Sequence, residues 1–167
     1  MNPIPIQEYG RPGFLISTDP AKLDVTAVHD YLSNHSYWAK GISREIVARS
    51  LEHSLCFGVY TVNGRAPQQI GLARVITDYA TFGYLSDVYI LAEWRGQGLG
   101  KWLISVILTH PALQTARKLT LDTRDAQGLY TQFGFQINPA PENHMVFRFN
   151  RQNKRIVQIS GDVLRLD

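Results

Sequence analysis

The spacing of apolar positions changes several times along this chain, and each change predicts a new element of structure. Alternation of apolar and polar residues predicts strands, and apolar stripes at spacings of three and four predict helices. The predicted strands cover residues 14–18, 55–62, 70–77, 81–91, 118–122 and 145–149. We expect helices to begin after Asp24 or Thr26 and after Ser43, and to cover residues 99–110 and 126–133.

The order of these elements predicts an α/β fold with a mixed sheet. Consecutive strands between residues 55 and 91 predict an antiparallel meander. The strand at 118–122 is reached through the helix at 99–110, so it should run parallel to the strand at 81–91. We therefore expect a mostly antiparallel sheet with one parallel pair and with helices on both faces.

The pattern divides the chain into three predicted regions. Residues 1–12 are rich in proline and predict an arm without regular structure. Residues 13–149 carry the periodic pattern and predict one folded domain. Residues 150–167 start basic and then alternate, which predicts an extra edge strand or a contact with a second copy in a homodimer.

Composition limits the classes of function. Hydrophobic residues make up 44% of the 167 residues and charged residues 19%, which is typical of a chain with a core. The net charge of +3 favours an anionic ligand, but basic residues are spread along residues 13–149, so nucleic-acid binding is not expected. Cys56 is the only cysteine, and neither a secretory signal nor a run of about 20 apolar residues is visible. These features predict a cytoplasmic protein that does not bind membranes.

The sequence Arg95-Gly96-Gln97-Gly98-Leu99-Gly100 joins the predicted strand at 81–91 to the predicted helix at 99–110. A glycine-rich turn at a helix N-terminus presents free backbone N–H groups, which bind anions and most often phosphates. Arg95 adds a positive charge and a fork of donors.

Two other phosphate-binding patterns fit this turn less well. The dinucleotide pattern G-x-G-x-x-G is absent, although Asp122 lies at the distance where that class places its acidic residue. In the P-loop pattern a serine or threonine follows Gly-Lys, whereas Trp102 follows Gly100-Lys101 here. A nicotinamide-binding oxidoreductase remains an alternative.

The turn resembles the diphosphate loop of the GNAT acetyltransferase superfamily, Arg/Gln-x-x-Gly-x-Gly/Ala, which Arg95, Gly98 and Gly100 match. Residues 87–94 are similar to that family's central strand, and Leu129-Tyr130-Thr131-Gln132-Phe133-Gly134-Phe135 is similar to a second motif. The resemblance covers residues 13–149 and implies a fold in which two parallel strands, here 81–91 and 118–122, splay apart.

The resemblance also implies that acetyl-coenzyme A is the cosubstrate. Its diphosphate would bind the backbone of the glycine turn, and its pantetheine arm would pair with the main chain of Val88 and Ile90. The implied cofactor-binding residues are Val88, Tyr89, Ile90, Arg95, Gly96, Gln97, Gly98, Leu99 and Gly100.

Tyr130 and Asp87 are the candidate catalytic residues. Tyr130 matches the tyrosine of the second family motif, and a phenol with a pKa of about 10 can protonate a leaving thiolate. Alternation places Asp87 on the face of Leu85 and Tyr89, where apolar neighbours would raise its pKa and suit it to act as a base. A core tyrosine and a hydrogen-bonded structural aspartate are the alternatives, and Asp78, Glu93 or ordered water could also take the proton.

Tyr37 and Trp38 lie between the first two predicted helices, where GNAT enzymes usually bind the acceptor. Their rings could stack on an aromatic acceptor or attract a cationic amine, or they could cover the core. The histidines lack metal-ligand spacing, so no metal is expected. The leading hypothesis is an acetyl-coenzyme A-dependent N-acetyltransferase acting on a primary amine by direct attack, and the alternative is a non-catalytic module that binds coenzyme A.

Overall fold

The computed structural model describes residues 4–63, 66–147 and 149. The chain divides into two compact units, Met1–Phe135 and Gln136–Asp167. The first unit contains six strands in sequence order: β1 (Glu8–Arg11), β2 (Phe14–Ser17), β3 (Leu55–Thr61), β4 (Gln68–Thr77), β5 (Phe82–Ile90) and β6 (Lys118–Thr120). Its four α-helices are α1 (Val25–Asp30), α2 (Arg44–Glu52), α3 (Leu99–Thr109) and α4 (Gln127–Tyr130).

The six strands form one sheet in which every neighbouring pair is antiparallel except β5 and β6, which are parallel. This arrangement confirms the mixed sheet predicted from the order of elements. The crossover through α3 makes the last pair parallel, because a helix returns the chain to the same end of the sheet.

Helices cover both faces of the sheet. On one face, Leu103 and Ile107 of α3 pack into a cluster with Phe57 and Val75 of the sheet. On the other face, Val28 of α1 and Val47 of α2 pack into a second cluster with Leu72 and Tyr89. The predicted caps are present: Asp24 accepts hydrogen bonds from the first turn of α1, and Ser43 accepts one from that of α2.

The first strand corrects one prediction. Residues 8–11 of the predicted irregular arm form β1, which pairs with β2 through the turn at Pro12-Gly13. Proline presets φ at the second turn position, and Gly13 adopts the positive φ of 80° that the third position requires. Proline, the residue type that predicted an arm, therefore helps to close a hairpin.

The predicted strand at 145–149 is a second correction. Residues 145–147 and 149 have no regular structure and are exposed, with Met145 93% accessible. Among the described residues of this second unit, the regular structure is the 3-10 turn Pro141–Asn143, which offers no strand for pairing. The predicted tail at 150–167 lies outside the described residues.

His110 ends α3 and is almost fully buried, with 1% of its surface accessible. Its Nδ1 accepts a hydrogen bond from the Ala112 N–H at 3.2 Å, and its Nε2 has no partner among the described residues. Burial lowers the pKa of His110 below 6.5. Protonation would therefore place an unpaired charge in the core and remove the acceptor for Ala112.

We expect the free energy of unfolding to fall as the pH drops below about 6.5, because the unfolded chain then binds a proton that the folded chain resists. His110→Phe should show a smaller loss between about pH 7.5 and pH 5 in chemical denaturation. If the free energy of unfolding depends equally on pH in the two proteins, His110 is not the cause of the loss of stability.

Candidate functional site

The edge of β5 that faces β6 is open over most of its length. Parallel pairing with β6 covers only Phe82 to Tyr84, and β6 ends at Thr120. Among the described residues, no strand pairs with this edge beyond Tyr84. The two strands therefore separate, as the resemblance implied.

The backbone of Val88 and Ile90 is directed to this open edge. The Leu91 N–H donates to the Ile70 carbonyl at 2.9 Å, and Tyr89 lies opposite Leu72 of β4. Because hydrogen bonding alternates along an antiparallel pair, Val88 and Ile90, on either side of Tyr89, present their N–H and C=O groups away from β4. Another extended molecule could add to this edge as a strand does.

A β-bulge interrupts β5 at Asp87. The pairing with β4 shifts between Leu72 and Arg74, and Asp87 has a φ of 51°, which is rare for a residue with a side chain. The bulge reverses the alternation, so Leu85 belongs to the cluster on the α3 face and Tyr89 to the cluster on the α1 face. The predicted placement of Asp87 on a face shared by both residues is therefore wrong.

The Asp87 carboxylate lies in a buried polar network and not among apolar neighbours. Arg74 Nε donates to Asp87 Oδ2 at 2.7 Å, and Trp38 Nε1 donates to Asp87 Oδ1 at 3.0 Å. Only 9% of the Asp87 side chain and 13% of the Arg74 side chain are accessible. Arg74 also donates to the hydroxyls of Ser54 and Ser86, so its guanidinium is held on several sides.

Arg74 is one functional candidate that the sequence reasoning missed. It is the one charged residue of β4, whose sequence is otherwise apolar or neutral. A charge in a buried strand needs a partner of opposite sign. That signal was present in the sequence and pointed to a carboxylate on a neighbouring strand.

Tyr37 and Trp38 lie in the segment between α1 and α2 and are 47% and 42% accessible. Trp38 is fixed by its bond to Asp87, and the guanidinium of Arg124 lies 3.8 Å from the centre of the Tyr37 ring. Arg124 follows β6, so this segment contacts both sides of the open edge. Beside it, Tyr31 stacks on Tyr89 with ring centres 3.7 Å apart.

The glycine turn starts a helix that has no side-chain cap. Gly96 and Gly98 have φ values of 79° and 73°, and Gly98 is the residue before α3. No side chain in the described part of the chain bonds the first turn of α3, so its N–H groups are available to an anion. Leu99 is buried and anchors the turn to the core, whereas Gly96 to Gly98 are exposed.

Arg95 does not extend over this turn. Its Nε donates to the Ile90 carbonyl at 2.9 Å, and its Nη2 lies 3.4 Å from the Tyr31 hydroxyl. The side chain therefore joins the turn to the end of β5 on the α1 face. A different arginine, Arg11 of β1, donates from Nη2 to the Gln97 carbonyl.

Tyr130 is buried in the cluster that also contains Ile90 and Leu99. It ends α4, and its ring packs against Phe135 with centres 5.6 Å apart. Burial raises the pKa of Tyr130 to about 12, above the value of about 10 assumed from the sequence. The phenol is therefore protonated at physiological pH.

Two other candidate groups have environments that suit structural roles. Asp78 accepts hydrogen bonds from the hydroxyl and N–H of Thr81 and from the N–H groups of Ala80 and Phe82 in the turn before β5, and these bonds lower its pKa and make it a weak base. Burial raises the pKa of Cys56 to about 12, so its thiol is unreactive.

A cavity of about 810 Å³ lies beside α1, at the end of β5 that leads into the glycine turn. Tyr60 is one of the residues that line it, and the Tyr60 hydroxyl is buried and has no hydrogen-bond partner among the described residues. Burial raises the pKa of Tyr60. Other polar lining groups come from Gln69, Tyr89, Glu93 and Arg95.

The described residues contain neither a membrane-spanning helix nor a metal-binding cluster. None of their helices is both long and apolar enough to cross a membrane. Their histidine, cysteine and acidic side chains form no group of three or more that could hold a metal ion.

Comparison with known proteins places this geometry in a family. Residues 52–137 match the family model described as an acetyltransferase (GNAT) domain. A Gibberella zeae protein named as a candidate acetyltransferase is 38% identical, with 74% of this chain and 79% of that protein covered. Two crystal structures of GNAT-family proteins share the fold.

The Xanthomonas campestris protein is 42% identical to this chain with a TM-score of 0.78, and the match covers 84% of this chain and 96% of that protein. The Elizabethkingia anophelis protein, solved with acetyl-coenzyme A bound, is 15% identical with a TM-score of 0.56, covering 84% of this chain and 91% of that one.

Gly98 and Gly100 form a matched pair for testing the turn. Gly98→Ala places a side chain at a positive φ and should lower the free energy of unfolding by about 1 kcal/mol. Gly100 lies in the first turn of α3, with an open position for a Cβ and no positive φ, so Gly100→Ala should raise the free energy of unfolding by up to about 1 kcal/mol. Equal effects of the two substitutions in chemical denaturation would contradict the described turn.

Proposed function

Because this chain belongs to the GNAT acetyltransferase family, we propose that it transfers the acetyl group of acetyl-coenzyme A to a primary amine. The amine attacks the thioester directly while both substrates are bound. The observation that carries this proposal is the open edge of β5, followed after residues 91–98 by a helix N-terminus with no side-chain cap among the described residues. A molecule whose extended arm is joined to a diphosphate fits that arrangement.

The cofactor would bind mainly through backbone groups. Its diphosphate would accept hydrogen bonds from the N–H groups of Gly96 to Gly100, where the positive end of α3 favours negative charge. Its pantetheine arm would pair with Val88 and with the Ile90 N–H, since Arg95 occupies the Ile90 carbonyl. The acetyl-coenzyme A bound to the Elizabethkingia relative supports the choice of ligand.

Tyr130 would protonate the departing thiolate. Its raised pKa makes the phenol a weaker acid than an ordinary tyrosine. The thiolate would form in the same poorly hydrated region, where desolvation raises the pKa of a thiol as well. The two groups therefore remain close enough in pKa for the proton to pass.

Asp87 would position the reacting groups and would not serve as the base. Its carboxylate already accepts from Arg74 and Trp38, and taking up a proton would weaken the pair with Arg74. A neutral partner would leave the buried guanidinium uncompensated. The proton of the attacking ammonium would leave through ordered water.

The acceptor amine would approach from the side of Tyr37 and Trp38. Trp38 is fixed next to the bulge of β5 and exposes part of its ring, which suits contact with a cation. Because Arg124 already lies over Tyr37, the indole of Trp38 is the better candidate for this contact.

Release of free thiol from acetyl-coenzyme A, measured across a panel of primary amines, tests the proposal. Saturable, amine-dependent release is the expected result. Saturable binding of coenzyme A without turnover on any amine would instead favour a non-catalytic binding module.

Tyr130→Phe should lower kcat about a hundredfold, because the ring still packs but the proton donor is lost. KM for acetyl-coenzyme A should change little. Since the pKa of Tyr130 lies at about 12, the wild-type rate should show no descending limb from this group up to about pH 10. Tyr79→Phe, in the exposed turn before β5, is the control, and wild-type turnover in Tyr130→Phe would refute the role.

Asp87→Asn tests positioning against base catalysis. The amide can still accept from Trp38 but loses the ion pair with Arg74, so kcat/KM should fall about tenfold. The shape of the pH profile should stay the same, and added formate should not restore activity. Loss of the acidic limb of the profile, together with rescue by formate, would identify Asp87 as the base.

A further inference from the structure

Arg11 reaches the glycine turn from the first hairpin. Its Nη2 donates to the Gln97 carbonyl, and its Nη1 lies 3.9 Å from the position that a Cβ on Gly98 would occupy. Its guanidinium lies 5.0 Å from the centre of the Trp102 ring and 5.3 Å from that of Phe14. Two aromatic contacts and one hydrogen bond thus hold the charge at the start of α3.

The bond to Gln97 also orients the turn. In a trans peptide, the carbonyl oxygen and the following N–H point in opposite directions. Holding the Gln97 carbonyl toward Arg11 therefore directs the Gly98 N–H to the other side of the chain. The side chain of Arg11 sets which way one amide of the anion site faces.

The charge of Arg11 is not compensated by a nearby acid within the described part of the chain. None of the ion pairs there includes Arg11. Arg95, the arginine of the turn itself, is directed to Ile90 and Tyr31 on the α1 face. On the α3 face, Arg11 supplies the positive charge that the sequence had assigned to Arg95.

We infer that Arg11 is a phosphate-binding residue of the cofactor site, contributed by β1 and separate from the glycine turn. This inference rests on the proposed function, because the phosphates belong to the nucleotide of coenzyme A. A guanidinium keeps four further N–H donors after its bond to Gln97, and their planar arrangement fits phosphate oxygens. Because the Gly98 N–H, which would bind the diphosphate, points away from Arg11, the 3′-phosphate is the group that Arg11 would contact.

Calorimetric titration of three compounds tests the inference: coenzyme A, 3′-dephospho-coenzyme A and pantetheine, which has no phosphate. Arg11→Gln should weaken coenzyme A binding about tenfold and leave pantetheine binding unchanged. A loss confined to coenzyme A supports the contact with the 3′-phosphate. An equal loss with 3′-dephospho-coenzyme A would show that Arg11 acts by orienting the turn and would overturn the inference.

Arg44→Gln, at the exposed start of α2, makes the same charge change away from the turn and should bind all three compounds as the wild type does. Arg11→Lys keeps the charge but loses the fork, so its affinity should lie between those of the wild type and Arg11→Gln. Arg11→Lys also tests the inference if Arg11→Gln fails to fold.

Two further results would overturn the inference while leaving the proposed function intact. One is wild-type affinity for coenzyme A in both Arg11 variants. The other is an equal loss for pantetheine, which would show a general disturbance of the site. Failure of the wild-type protein to bind coenzyme A would instead refute the proposed function.

Discussion

Pairing between β5 and β6 ends at Tyr84, and the rest of the site depends on the unpaired edge of β5 beyond that residue. A parallel pair that continued would bury the outward backbone groups of Val88 and Ile90 in a ladder. Because β6 is short and the chain leaves it after Thr120, those groups face an open edge. The same strand then runs into a turn whose helix lacks a side-chain cap. Apart from the Ile90 carbonyl, which accepts from Arg95, backbone groups that other folds satisfy internally are here available to a ligand.

The bulge at Asp87 makes a second contribution by changing the direction of the strand. Its left-handed conformation is costly for a residue with a side chain, and the buried pair with Arg74 offsets that cost. Trp38 bonds to the same carboxylate, so the segment between α1 and α2 is joined to the bulge. The carboxylate thus links the edge proposed to bind the cofactor with the side proposed to bind the acceptor. This linkage explains how a buried charge can serve the site without taking a proton.

Local patterns predicted much of this architecture. Asp24 and Ser43 preceded helices because their side chains compete for the first N–H groups, and the glycine turn was recognisable from its composition and position. The features that local patterns missed depend on distant partners. Alternation failed at Asp87 because the bulge is stabilised by Arg74, which lies on another strand. Arg11 could not be connected with Gln97 from spacing, since 86 residues separate them. The Pro12-Gly13 turn was open to two interpretations, and only pairing with β2 distinguishes a hairpin from an arm.

We propose that the open edge of β5 and the start of α3 bind one extended ligand together. Titration of ¹⁵N-labelled protein with coenzyme A, followed through assigned backbone amide signals, tests it most directly. The account predicts saturable shifts at Val88, Ile90, Gly98 and Gly100 with a common dissociation constant, and little change at Leu72 on the paired side. Saturable shifts confined to other parts of the chain, or none at these amides, would contradict it.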